Sequence, residues 1–166
     1  MLDGIEICLN TDFFDNEEKW KKTAKKIIFT GMIDKYFKYC YGELQHRSLK
    51  FETEVLETAN YQGNAVINYT EYDIPYTRII EHKHFDNTNS NKTVITREYP
   101  DKYEEGKEPY YQINNEQNER IYNKYKLIAK KEKNVIFGGR LGEYKYYNMD
   151  EVIKRALELV EEELDE

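Results

Sequence analysis

Two arginines sit where a β-strand would turn them inward. In the run from Arg47 to Val55, Arg47 shares a phase with Leu49 and Phe51 and alternates against Lys50, Glu52 and Glu54. Arg78 falls in phase with Tyr76 and Ile80. A guanidinium on an apolar strand face needs a counter-charge or a ligand, because an unpaired charge in a low dielectric is costly. Its forked donors match phosphate or carboxylate oxygens two at a time. The plainer alternative is a sheet edge, from which the guanidinium reaches water over its aliphatic stem.

A second constellation runs from Asn134 to Met149. The apolar β run Val135-Ile136-Phe137 ends at Gly138-Gly139, where a side chain would obstruct a ligand approaching the backbone, and Arg140 follows. Asn148, with Glu151 three residues on, fits an N-cap and capping-box pair. Strand, glycine turn, arginine and helix N-terminus together make a place to hold an anion. The plainer reading is one βα unit whose glycines close a tight turn. Positions 138, 139 and 142 give G-G-x-x-G, not the dinucleotide fingerprint. Tyr110-Tyr111 and Tyr144, Tyr146 and Tyr147 flank the arginines, and a phenol donates a good hydrogen bond to a phosphate oxygen. His82 and His84 alternate along one predicted strand, but no cysteine or carboxylate cluster stands at ligand spacing, so no metal is expected.

Composition narrows the partners. The 166 residues carry a formal charge of -7, a poor match for nucleic acid or an anionic membrane. An anionic ligand must therefore be drawn by local arginines, of which there are six: Arg47, Arg78, Arg97, Arg120, Arg140 and Arg155. Cys8 and Cys40 form no C-x-x-C, which suits free thiols in a reducing cytoplasm. No apolar run approaches membrane-spanning length, and no secretory pattern opens the chain.

The elements that would position these residues change character along the chain. Ile5, Ile7 and Leu9 alternate with Glu6 and Cys8 as in a half-buried strand. A helix over 17–26, a buried strand over 26–31 and a helix face of Ile33, Tyr36, Phe37, Cys40 and Tyr41 capped by Gly42 suggest pieces of a parallel sheet. Beyond Gly42 come β-rich runs at 47–55, 64–70, 76–85 and 92–98 with short turns between them, which predict antiparallel hairpins. Pro100 to Pro109 reads as a charged loop, and 115–131 as an exposed helix with Ile121, Tyr125 and Ile128 on one face. Met149, Val152, Ile153, Ala156, Leu157, Val160 and Leu164 predict a buried helix face at the end. The expected fold class is α+β: an antiparallel or mixed sheet of about four to six strands flanked by helices.

Two segments are long and specific: Arg78-Ile-Ile-Glu-His-Lys-His-Phe85 and Gly138-Gly-Arg-Leu-Gly-Glu-Tyr-Lys-Tyr-Tyr-Asn-Met-Asp150. With His46 to Glu52, Gln62 to Thr70, Thr93 to Pro100 and Glu108 to Tyr111, they resemble the C-terminal part of the UDP-galactopyranose mutases, in order and over nearly the whole chain. The resemblance implies an FAD enzyme that interconverts UDP-galactopyranose and UDP-galactofuranose through an adduct between the reduced flavin N5 and the sugar. It implies substrate contacts at Arg78, Tyr111, Tyr146 and Asn68. It places Arg140, Gly139, Tyr147, Asn148, Met149 and Arg47 on the cofactor side. Asn148 stands where the family usually has aspartate. The resemblance also implies one module over 1–166, in which 1–44 and 134–166 are remnants of an FAD-binding α/β domain. Residues 45–133 form a substrate-side antiparallel sheet with a helix. The family's dinucleotide-binding turn and mobile-loop helical domain have no counterpart in these residues, so this chain alone is expected neither to hold FAD tightly nor to turn over. Exposed apolar edges are expected to make it a homodimer. The alternative is a stand-alone sugar-nucleotide-binding or self-associating module without catalysis.

Overall fold

The computed structural model describes residues 2–86 and 88–164. A 3-10 turn at Phe13–Asn16 leads into α1 (Glu17–Thr23), β1 (Ile27–Phe29), α2 (Ile33–Tyr36) and β2 (His46–Leu56). β3 (Val66–Asn68), β4 (Arg78–Glu81), α3 (Lys83–Asp86), β5 (Thr93–Lys102) and β6 (Tyr111–Gln112) follow. α4 (Glu116–Ala129), β7 (Val135–Phe137), α5 (Gly139–Gly142) and α6 (Met149–Leu164) complete an α+β chain. Contacts divide it into two units: residues 1–43 with 119–166, and residues 44–118. The division falls inside α4, three residues past its first.

The unit of residues 44–118 is one antiparallel sheet of order β3-β4-β5-β2-β6. Its longest ladder pairs β2 with β5, from Arg47 opposite Lys102 to Leu56 opposite Thr93. Ile79 and Ile95 are fully buried on one face, with Glu81 and Thr93 beside them. β5 continues three residues into the expected charged loop. Pro100 is tolerated there because it points, like Glu98, to the side on which β4 has already ended. β4 stops at Glu81, so His82 and His84 lie on a turn and a one-turn helix, not on one strand face.

β2 inverts the expected burial. Leu44, His46 and Ser48 are buried, whereas Arg47, Phe51 and Val55 are exposed. The reason is what folds over each side. The His46 ring meets Tyr103 at 5.7 Å, and the Ser48 hydroxyl donates to the Glu108 carbonyl at 2.8 Å. The charged loop therefore covers the polar phase and leaves the apolar one open.

In the other unit, β1 and β7 form a two-stranded parallel sheet with Phe29 opposite Phe137. Phe29, Tyr36 and Val135 centre an aromatic core joined by Phe13, Phe14, Phe37 and Phe137. Residues 5–9 form no strand; Ile5, Ile7 and Leu9 are exposed, since alternation alone supplies no neighbour to pair with. The helix expected to run on to Gly42 ends after one turn. Lys38 and Tyr39 take left-handed backbone conformations, with φ of 52° and 54°. Tyr125 of α4 explains the early stop: fully buried, its hydroxyl accepts from the Tyr41 N–H at 3.0 Å and donates to the Gly42 carbonyl at 2.8 Å. That turn satisfies a buried phenol better than continuing the helix to Gly42 would.

α6 is helical as expected but rotated. It meets its unit through Val152, Arg155 and Leu159, while Met149 (81% exposed), Leu157 (61%) and Leu164 (79%) form an uncovered apolar stripe. Ion pairs of Arg155 with Glu143 (2.9 Å) and of Lys26 with Glu163 fix that rotation.

Candidate functional site

Sheet register brings four of the expected substrate and cofactor residues to one face of residues 44–118. Asn68 lies opposite Arg78, Arg78 opposite Glu98, and Glu98 opposite Phe51, one row across four strands. Arg47, in phase with Phe51 on β2, lies opposite Tyr111 of β6. Directly paired residues share a face, so Asn68, Arg78, Arg47 and Tyr111 all look the same way. Tyr76 does not join them; its ring packs at 5.0 Å from Tyr69 and 5.9 Å from Tyr99, across the sheet.

Arg78 is held rather than loose. Its Nε donates to Asn68 Oδ1 at 2.9 Å, and Nη1 stands 3.5 Å from Glu98 Oε2. The Glu98 side chain is 8% exposed and also accepts from the Thr77 hydroxyl at 3.2 Å. The Arg78 side chain as a whole is 38% exposed, enough for an oxyanion to approach it from solvent. Glu98 was not among the expected site residues: only the β4–β5 register shows it beneath Arg78.

Behind this row stands a second carboxylate. Glu81 is fully buried and takes the N–H groups of Tyr61 (3.0 Å) and Gln62 (2.9 Å) and the Thr93 hydroxyl (2.8 Å), with His84 Nε2 at 3.0 Å. Burial pushes its pKa up, but those donors outweigh it and hold the group near 2. His82 Nε2 lies 2.8 Å from the Thr96 hydroxyl, and Lys83 Nζ donates to the Ala59 and Ser90 carbonyls. These histidines are thus engaged in structure. Among the described residues no group of three or more His, Cys, Asp or Glu could hold a metal ion.

The other unit gathers Gly139, Arg140, Tyr146, Tyr147, Asn148 and Met149. Arg140 donates through Nε (2.7 Å) and Nη2 to the Tyr147 carbonyl, and its guanidinium lies 4.5 Å from the centre of the Tyr146 ring. It therefore clips the tyrosine-rich connection to the start of α6. The Asn148 N–H donates to Glu151 Oε2 at 2.7 Å, one half of the expected capping box. The Tyr147 side chain turns inward: burial first, then the neighbouring Glu143 carboxylate, pushes its hydroxyl up to about 12. Tyr146 and Met149 face solvent.

The glycines of this segment answer to packing. Gly139 has φ +71°, which L side chains rarely adopt. A Cβ on Gly142 would stand 2.9 Å from the Phe29 carbonyl oxygen, so α5 can sit against the end of β1 only with glycine there. A Cβ on Gly138 would meet Leu159 of α6 at 3.1 Å. Ligand clearance, the reason inferred from the sequence, is not needed to account for them.

An antiparallel sheet displaying an arginine, asparagine and tyrosine surface, with a separate βα unit whose arginine clips a helix start, defines an α+β protein. The family model for UDP-galactopyranose mutase matches residues 1–146. A probable UDP-galactopyranose mutase of Klebsiella pneumoniae is 37% identical over 161 residues, covering 96% of this chain and 41% of that protein. A dTDP-fucopyranose mutase of Escherichia coli is 40% identical over 133 residues, covering 80% and 35%. A UDP-galactopyranose mutase of Mycoplasma pneumoniae is 34% identical over 145 residues, covering 84% and 36%. The chain belongs to the UDP-galactopyranose mutase family. It spans about two-fifths of the length of these relatives. No described helix is long and apolar enough to cross a membrane.

Proposed function

We propose that residues 44–118 supply the diphosphate-binding side of a nucleotide-sugar ring-contraction enzyme, acting on UDP-galactopyranose and UDP-galactofuranose. The observation that carries this is the Asn68–Arg78–Glu98 row with Arg47 and Tyr111 on the same face. In the ring interchange the nucleoside diphosphate leaves the anomeric carbon and returns to it. Arg78 and Tyr111 would hold that group and offset the charge it gains on leaving. Asn68 accepts from the Arg78 Nε and so holds the guanidinium over this face. Tyr146 is proposed for the substrate on the resemblance alone.

The terminal unit is read as a remnant of the FAD-binding α/β domain, on the strength of its parallel β1–β7 pair. Residues 1–44 and 134–166 make up that remnant. Reduced FAD, when bound, supplies the nucleophile. The residues present fit only a small share of its site: Arg140 lies beside the exposed start of a sixteen-residue helix, but Asp150 and Glu151 add negative charge to that first turn and Glu151 already takes the Asn148 N–H. Gly139, Tyr147 through its backbone, Asn148 and Met149 lie at that helix start, and Arg47 is proposed for the cofactor on the resemblance alone. The share is small, so the isolated chain neither retains FAD nor turns over.

The exposed α6 stripe is read as the contact of a homodimer. Laid antiparallel, two α6 helices bring Lys154 of one copy beside Glu161 of the other, whereas a parallel pair would set like charges together. Light scattering of Leu157→Glu tests this: a wild-type dimer should become a monomer, and a wild-type monomer refutes it.

A second reading of the substrate comes from the 40% identity to a dTDP-fucopyranose mutase. The diphosphate contacts would serve either nucleotide. Calorimetric titration with UDP, dTDP, UDP-galactose and FAD tests the proposal. Binding of a nucleoside diphosphate that is abolished in Arg78→Ala supports it. No binding of either nucleotide refutes it, and yellow protein after purification refutes the inactivity of the isolated chain.

A further inference from the structure

The block Arg78-Ile-Ile-Glu-His-Lys-His-Phe85 has, beyond Arg78, no role in the chemistry above. Its glutamate touches nothing on the ligand face: Glu81 and Ile79 alternate with Arg78 and Ile80 and point to the buried side. What Glu81 grips is the approach to β3. β3 is an edge strand of only three residues, paired to β4 alone through Val66 with Ile80, Ile67 with Ile79 and Asn68 with Arg78. So short a ladder specifies its register weakly, and a slip of one residue would turn Asn68 to the far face, away from the arginine it orients.

The Glu81 carboxylate removes that freedom. One oxygen takes the Tyr61 N–H and the Thr93 hydroxyl; the other takes the Gln62 N–H. The Glu81 N–H donates to the Ala65 carbonyl at 2.8 Å, one residue before β3 begins. Gln62 adds its own side chain, with Nε2 donating to the Asn64 carbonyl at 2.8 Å and the Ile79 carbonyl at 3.1 Å. Charge-assisted bonds to a buried carboxylate are roughly twice as strong as neutral ones. The connection from residue 61 to 65 is thus fastened to β4 at both ends.

We propose that Glu81 is a positioning residue for diphosphate recognition, acting through the register of β3 to place Asn68 against the Arg78 guanidinium. This rests on the reading of the Arg78 face as the diphosphate site. Glu81 touches no ligand, yet it determines whether Arg78 presents its outer N–H groups or swings on its stem.

The test is a double-mutant cycle on this chain, read by UDP titration and by the NMR signal of the Arg78 Nε–H. Glu81→Gln keeps the shape but sets an NH2 against a backbone N–H; it should weaken UDP about tenfold and cost the Arg78 Nε–H its slow exchange. Asn68→Ala should do the same, and the double variant should bind no worse than either single one, because both changes break one linkage. Thr93→Val removes another Glu81 partner from the side away from the loop. It should lower the unfolding temperature and leave UDP affinity unchanged. Gln62→Ala loosens the same loop from its other side, and its affinity should fall severalfold even if Glu81→Gln does not fold. Losses that add in the double variant, or a Glu81→Gln protein that unfolds earlier but binds UDP normally, overturn the proposal. If wild-type protein binds no UDP, the diphosphate reading itself fails; the Arg78 Nε–H signal then still reports whether Glu81 sets the register.

Discussion

Replacing Arg78 with methionine separates the two jobs its guanidinium performs. In the fold it faces Glu98, whose side chain is 8% exposed and whose other partner is the Thr77 hydroxyl. Methionine keeps most of the stem but leaves that carboxylate without its counter-ion. A fully buried pair broken this way costs several kcal/mol. Here the arginine is 38% exposed and the contact is 3.5 Å, so solvent screens much of it. We expect a loss of about 1–2 kcal/mol. Adding Glu98→Gln removes the stranded charge and should recover most of that loss. Binding should behave differently. Charged hydrogen bonds to a diphosphate contribute roughly 1.5–3 kcal/mol, so UDP affinity should fall about 10- to 100-fold in Arg78→Met. It should stay low in the double variant, because no guanidinium returns. Denaturant unfolding gives the first quantity and calorimetric titration the second. Affinity that recovers together with stability in the double variant would show that Arg78 acts only as a structural ion, and the assignment of this face to the diphosphate would fail.

Other outcomes follow from single contacts. Glu81 has a folded-state pKa held near 2 against an ordinary 4.5, so its stabilisation is complete above pH 4.5 and lost as pH falls toward 2. Acid unfolding followed by circular dichroism should show this slope in the wild type and a flatter one in Glu81→Gln. Gly142→Ala drives a Cβ to within 2.9 Å of a backbone oxygen at the end of β1 and should cost about 1–3 kcal/mol in urea unfolding. Tyr125→Phe leaves the Tyr41 N–H and Gly42 carbonyl without their partner, a loss of about 1–3 kcal/mol, and amide exchange should quicken at Tyr41.

Period-two alternation and the glycine and asparagine stops were enough to read most of the antiparallel strands, the short apolar strands at 27–29 and 135–137, the α6 cap and the phase of Arg78 from the amino-acid sequence alone. Those features depend on near neighbours in the chain, or on the phase of a single strand. Other features depend on what lies across from a residue, and no local pattern encodes that. Glu98 under Arg78 and Glu81 behind β3 exist only once β4 takes its register beside β5. Ile5 to Leu9 alternates like a strand, yet no edge receives it. The helix after Ile33 was shortened by a phenol more than eighty residues away, and the apolar stripe of α6 was turned outward by ion pairs at Arg155 and Glu163. Side-chain chemistry was legible where a residue carries it; which partner each group would find was decided by tertiary structure, because burial and register are set by segments far apart in sequence.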